Sequence, residues 1–208
     1  VITGLATILG IPVGVAAGIY LAELGRDLRF SKAVRFTTNV LMGIPSIVIG
    51  LFVYAVFVLQ VGHFSGIAGA ISLALIMLPV VARTTEDMLN LVPDALRESA
   101  LALGAPHWRV TLGITLRAAK KGVTTGVLLA VARISGETAP LLFTALNSTY
   151  WPTSLNEPTS NLTVTIFNYA LSPYRDWQQM AWGGALLIML AVLVTNILSR
   201  VWLAEKKR

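Results

Sequence analysis

From Phe36 to Ala82 the chain carries no Asp, Glu, Lys or Arg. A water-facing domain has no means of covering so long an uncharged run. A bilayer core about 30 Å thick takes roughly 20 apolar helical residues per crossing. The run is therefore long enough for two crossings, 36–61 and 65–82, with the tip Gly62-His63-Phe64-Ser65-Gly66 as the turn between them. Three further spans are expected: 1–22, which ends at Glu23; 122–146, which holds Arg133 and Glu137; and 177–199, followed by Arg200 and the tail Glu205-Lys206-Lys207-Arg208. Composition agrees. Of the 208 residues 55% are hydrophobic and 12% charged, about half the charged share of a soluble domain, and mean hydropathy is +0.73. The expected fold class is an all-α membrane protein, a single transmembrane domain over 1–208.

Arg26, Arg29, Lys32 and Arg35 lie between the first two spans, and Arg83, Arg97, Arg109, Arg117, Lys120 and Lys121 between the third and fourth. Arg200, Lys206, Lys207 and Arg208 follow the last, so of 16 Lys and Arg only Arg133 and Arg175 fall elsewhere. Such a bias marks the cytoplasmic side. It makes 83–121 a cytoplasmic segment and 147–176 an external loop, with Val1 outside and Arg208 inside. Tyr150, Trp151, Tyr174 and Trp177 around that loop suit anchors at the membrane-lipid interface. The net charge of +6 then calls for no nucleic-acid partner. The absence of cysteine excludes disulfides and thiolate metal sites, and His63 and His107 are too far apart in sequence to form a ligand pair. No Gly-rich loop ending in Lys-Ser or Lys-Thr occurs, so nucleotide binding by this chain is not expected. No serine–histidine constellation accompanies Ser135 or Glu137 to suggest a hydrolase. The first span lacks the basic start and cleavage site of a signal peptide. Opening at Val1 inside an apolar run reads as a fragment.

Local patterns refine this picture. Gly10, Gly14 and Gly18 recur every four residues, which permits close helix contact. Pro12, Pro45 and Pro79 each remove a backbone donor and bend their spans. In the cytoplasmic segment, 86–103 reads as a helix interrupted near Pro93 and stopped by Gly104 as a left-handed cap. Pro106 then opens a shorter helix carrying Trp108, Val110, Leu112 and Ile114 among Arg109 and Arg117. A short amphipathic helix of this kind lies on lipid or docks in a partner's groove. His63 reads as a polar turn residue, and Asn147-Ser148-Thr149 and Asn161-Leu162-Thr163 as chance matches to a glycosylation sequon.

The fourth span is the costly one. A central Arg or Glu in a membrane helix costs about 2.5–3.5 kcal/mol on insertion scales. Arg133 and Glu137 are four residues apart, hence on one face and close enough to pair. Gly136 and Pro140 loosen the same turn. Two arrangements are open: a buried ion pair that fixes packing, or a charged step on a path for an anion, with Arg133 meeting the anion and Glu137 tuning it or accepting its proton.

The run Glu98-Ser99-Ala100-Leu101-Ala102-Leu103-Gly104, followed by Ile114 and Leu116, resembles the EAA loop of ABC-importer permeases. Ser99 stands where that family has its first Ala, and Arg117 where it has Pro. The resemblance implies that Glu98, Ala100, Gly104, Ala105, Pro106, Trp108 and Arg109 belong to a coupling segment that docks on an ATP-hydrolysing subunit. Gly43-Ile44-Pro45-Ser46-Ile47-Val48-Ile49-Gly50-Leu51, Leu78-Pro79-Val80-Val81-Ala82-Arg83-Thr84 and Ala132-Arg133-Ile134-Ser135-Gly136-Glu137-Thr138-Ala139-Pro140-Leu141-Leu142-Phe143 resemble the PstA family of phosphate permeases. The related PstC family shares the Arg and Gly-Glu-Thr theme, and the Ala139-Pro140-Leu141-Leu142 continuation favours PstA. This resemblance implies a MetI-like type I importer permease in the bacterial inner membrane, with five transmembrane helices here and one more before Val1. It implies a PstC-like paired permease, a PstB-like ATPase dimer that holds ATP and Mg, an external PstS-like binding protein, and inorganic phosphate as cargo, with no cofactor on this chain. Arg133, Glu137 and Thr138 would line the substrate path, and Gly136 and Pro140 would break the helix. A permease for molybdate or sulfate, or a non-transporting membrane scaffold, is the alternative.

Overall fold

The computed structural model describes residues 1–26, 28–148, 150 and 153–205, with side chains as far as residue 197. Trp151, Thr149 and the tail residues Lys206, Lys207 and Arg208 lie outside the described residues, as do the side chains of Arg200 and Glu205. Among the described residues there is no strand. Helix α1, Ile2–Ile19, runs into a π-helical turn, Tyr20–Leu24; α2 is Arg29–Gly43; α3, Ser46–Val53, continues through a second π turn, Tyr54–Val58, into α4, Leu59–Val61. Then come α5, Gly66–Asn90, α6, Asp94–Ala102, and α7, His107–Val110. A third π turn, Thr111–Thr115, joins α7 to α8, Leu116–Ser135, followed by α9, Ala139–Thr144, α10, Leu162–Ala170, and α11, Arg175–Glu205.

Among the described residues three helices, Ile2–Leu24, Gly66–Asn90 and Arg175–Ile197, are long and apolar enough to cross a membrane. The stretch expected as one span at 36–61 falls on two helices, Arg29–Gly43 and Ser46–Val61, bent by 105° at the break between them. The break follows from Pro45, which has no N–H and drives the preceding Ile44 to extended backbone at φ −73, ψ 132. The stretch 122–146 is also divided: α8 ends at Ser135 and α9 starts at Ala139. Between 147 and 176, where the sequence suggests only a polar loop, lies α10. It is capped by Asn161, whose Oδ1 accepts a hydrogen bond from the Val164 N–H at 2.9 Å. The tip at 62–66 turns as expected, with Gly62 at φ +83 and the Ser65 hydroxyl capping α5 by accepting from the Ala68 N–H at 3.1 Å.

Helix α5 is the axis of the bundle. Its span is 61% buried, against 11% for that of α11, and Leu73, Met77, Val81 and Leu89 are wholly enclosed. Helix α1 runs parallel to it, held close by the glycine row. A Cβ on Gly14 would stand 2.8 Å from Val81 Cβ; one on Gly18 would stand 2.5 Å from Thr85 Cβ and 2.6 Å from the Ala82 carbonyl oxygen. Helix α8 crosses the same axis antiparallel, with Gly122 against Met88 and Gly126 against Thr84. On another side α3 meets α9, where a Cβ on Gly50 would lie 2.6 Å from the Pro140 Cα. Helix α10 packs on α11 through Ile166 and Gly184.

Because the atoms facing Gly18 include backbone, an added methyl has to part α1 from α5. Gly18→Ala should lower stability by about 1–3 kcal/mol, read as a fall in Tm of the purified protein in detergent. Gly4→Ala, with nothing within 4 Å of the new methyl, should leave Tm unchanged or raise it.

Candidate functional site

The α8–α9 break gathers the mid-span charges. The Gly136 N–H donates to the Arg133 carbonyl at 3.2 Å and the Glu137 N–H to that of Ile134 at 3.3 Å, tightening the end of α8 before the chain turns. Pro140 then sits in the first turn of α9, where its missing donor costs little. Across the break, Arg133 Nε lies 3.9 Å from Glu137 Oε1, so the two charges are near but not hydrogen-bonded. Their surroundings differ: the Arg133 side chain is 53% exposed and that of Glu137 17%. Glu137 lines a cavity of about 530 Å³ together with Thr3, Ser135, Asn161, Thr163 and Thr195. Arg133 and Thr138 do not line it. The Glu137 carbonyl accepts from the Thr163 hydroxyl at 3.0 Å, which ties the break to the start of α10. Asn161 Nδ2 is buried beside it with no partner among the described residues. The structure thus ties Glu137 to the start of α10 and sets Pro140 against Gly50 of α3, while the Arg133 side chain stays half exposed.

At the basic end of the bundle, α6 and α7 project the second group of sequence-selected residues. Helix α6 ends in a left-handed cap. Gly104 has φ +80, its N–H donates to the Leu101 carbonyl at 2.9 Å, and the Ala105 N–H donates to that of Ala100 at 3.2 Å. Pro106 follows as the residue that opens α7. Ala100 is buried, Ala105 half-buried, and Glu98 and Gly104 are exposed. Trp108 is 62% exposed, with the Arg109 guanidinium 5.3 Å from its ring centroid. Leu103 and Leu112 are exposed beside it, so the tip presents apolar surface flanked by positive charge.

Sequence reasoning missed the ion pairs beneath this tip. Arg97 pairs with Glu23 at 2.8 Å, and Arg35 with Glu86 at 2.6 Å, with Arg83 a further 3.8 Å from Glu86. The one available signal was that Glu23, Glu86 and Asp94 are acids set among many cations. It does not say which acid meets which cation. Asn161 and Thr163 were read as a chance sequon and are a helix cap with a bond to the break.

A helical bundle with a charged, broken helix and an exposed apolar tip has the build of a membrane permease. The family of binding-protein-dependent transport system inner membrane components matches residues 10–204. The chain is 56% identical over 202 residues to the phosphate transport system permease protein PstA of Yersinia pestis, covering 97% of this chain and 68% of that protein. It is 55% identical over 206 residues to that of Haemophilus influenzae, covering 99% and 73%, and 47% identical over 204 residues to that of Xylella fastidiosa, covering 98% and 71%. Among solved structures, the inward-facing MetNI methionine ABC transporter is similar in fold, with a TM-score of 0.77 at 17% identity over 100% of this chain and 90% of that one. The chain belongs to the binding-protein-dependent inner-membrane permeases, and within them to the PstA family.

Nothing lies within 4 Å of a Cβ on Gly104, so the cost of Gly104→Ala is the left-handed backbone alone, about 1–2 kcal/mol. Hydrogen exchange of the last α6 amides should quicken about tenfold. Gly113→Ala, also in open space, should leave it unchanged.

Proposed function

We propose that this chain is the PstA-type permease subunit of an ATP-driven phosphate importer in the bacterial inner membrane, its basic end and C-terminus facing the cytoplasm. The observation that carries the reading is identity of 47–56% over nearly the whole chain to permeases named for phosphate transport. A PstC-like permease would complete the path, a PstS-like protein would deliver phosphate from outside, and a PstB-like ATPase dimer would bind ATP and Mg. This chain would hold no cofactor and catalyse no covalent step.

In this reading Arg133 is the anion contact. Its planar donors match two phosphate oxygens at once, and its half-exposed side chain is free to turn toward the PstC-like partner. The 3.9 Å separation from Glu137 supports release of Arg133 to an arriving anion at small cost. Glu137 would accept the proton of hydrogen phosphate, a proton that sulfate does not offer. One Arg beside one Glu is neutral overall, so the partner permease would supply further positive charge. Thr138 would border the path, and the break at Gly136 and Pro140 would let α9 move apart from α8. At the tip, Trp108, Arg109 and the apolar neighbours Leu103 and Leu112 would enter the ATPase cleft, with Glu98, Ala100, Gly104, Ala105 and Pro106 shaping the turn that presents them.

The test is labelled-phosphate uptake in cells lacking their own phosphate permease, supplied with the full-length gene and its partners. Uptake should resist excess sulfate and molybdate. Arg133→Gln should remove about 1.5–3 kcal/mol of charge-assisted binding, a fall of at least tenfold in uptake. An assembled, ATP-hydrolysing complex that moves no phosphate would sink the substrate assignment, and unchanged uptake by Arg133→Gln would remove that residue from the path.

A further inference from the structure

Arg97 precedes Glu98 directly, and its side chain is only 12% exposed. Its guanidinium is fully used. Nε donates to Glu23 Oε1 at 3.1 Å and Nη2 to the same oxygen at 2.8 Å. Nη1 donates to the Val92 carbonyl at 2.6 Å and to Asp94 Oδ1 at 3.0 Å, and Nη2 also reaches the Leu89 carbonyl at 2.8 Å. One side chain therefore gathers the end of α5, the start of α6 and an acid from the far end of α1.

The rest of α6 has little hold on the bundle. It packs chiefly on α7 and the π turn Thr111–Thr115, and its other ion pair to the first span, Arg26–Asp94 at 3.1 Å, is half-exposed and screened by water. Glu23 lies in the π turn Tyr20–Leu24, and its side chain is 9% exposed. From the same turn the Leu21 carbonyl accepts from Arg35 Nη2 at 2.8 Å, and Arg35 Nε pairs with Glu86 of α5. Pulling on Arg97 thus pulls on the end of α1, and the π turn beyond it leads to α2.

We propose that the Arg97–Glu23 clasp is the joint that conveys movement of the α6–α7 unit to membrane helix α1, making Arg97 and Glu23 positioning residues for coupling between ATP hydrolysis and transport. The proposal rests on the permease reading above. Lysine cannot replace Arg97, because one ammonium cannot span the carboxylate and two carbonyls that the guanidinium fork reaches together. Glutamine at position 23 keeps the shape and removes the charge.

The experiment uses the full-length chain assembled with its permease and ATPase partners in proteoliposomes, with the binding protein inside the reaction. ATP hydrolysis and labelled-phosphate uptake are read in the same vesicles for wild type, Glu23→Gln and Arg97→Lys. In both variants phosphate moved per ATP should fall at least fivefold while hydrolysis falls less than threefold. A purely structural role would lower both rates together and leave the ratio unchanged, and that outcome in both variants overturns the proposal. A second readout does not depend on the cargo. These 208 residues hold no cysteine, so in an assembly freed of any cysteine elsewhere Gly4→Cys, in open space near the start of α1, accepts a single spin label. The ATP-driven change in its spectrum should be present in wild type and at least halved in Glu23→Gln; a full-sized change in Glu23→Gln overturns the proposal even if phosphate proves not to be the cargo. Should Glu23→Gln fail to assemble, Glu23→Asp, which keeps the charge but retracts it, is read in the same two assays with the same criteria.

Discussion

Helices in a bilayer gain little by hiding apolar surface from one another, because lipid tails are as apolar as their side chains. Contact has to come from close approach, and in this chain the approach of α1 to α5 supplies it. With Gly14 and Gly18 facing Val81, Thr85 and the Ala82 carbonyl, the two backbones lie nearer than any side chain would permit. The same device is used where α8 crosses α5 at Gly122 and Gly126 and where α3 meets Pro140 at Gly50. Because α5 is touched on several sides by glycine-lined neighbours, it serves as a fixed rod. The charged break at 136–138 is set against it through α8 and α9, whereas the α6–α7 tip is tied to its end chiefly through Arg97.

Charge is handled differently at the two levels of the bundle. Near the basic end, every donor of the Arg97 guanidinium is engaged by carboxylates and backbone carbonyls, and Arg35 meets Glu86 and the Leu21 and Arg26 carbonyls. At mid-bundle Arg133 has, among the described residues, one carboxylate at 3.9 Å and a half-exposed side chain. A guanidinium whose donors are all taken is held in place, whereas one beside a single carboxylate at 3.9 Å is held less firmly. This contrast lies in the number of acceptors within reach, a quantity that sequence spacing does not report.

Much of the fold was legible because its signals are local. Gly104 needs only its own backbone to cap α6, Pro45 breaks its helix by lacking an N–H, and Gly62 with Ser65 turns the chain into α5. Arg133 and Glu137 were placed on one face by a spacing of four. The features that escaped depend on partners distant in the chain or on register. Arg97 and Glu23 are 74 residues apart, and either acid or base could have met several others. Helix α10 hides in a segment whose polar ends read as loop, and the Asn161-Leu162-Thr163 cap coincides with a sequon. The hinge at Ile44 and Pro45 was legible as a bend, but its angle of 105° was not, since that depends on what α2 and α3 each pack against.

The three π turns have a further meaning for how such chains diverge. Each holds one residue more than a regular helical turn of the same length, and one residue corresponds to about 100° of rotation about the axis. Loss of a single codon within Thr111–Thr115 would restore regular winding there and leave α7 with Trp108 facing as it does now, because the widened turn already absorbs the additional residue. Sequence relatives that differ by a lone gap at this point would therefore aim the same tryptophan at the same surface. A one-residue deletion that elsewhere in a helix would turn everything beyond it by about 100° is here taken up where it falls.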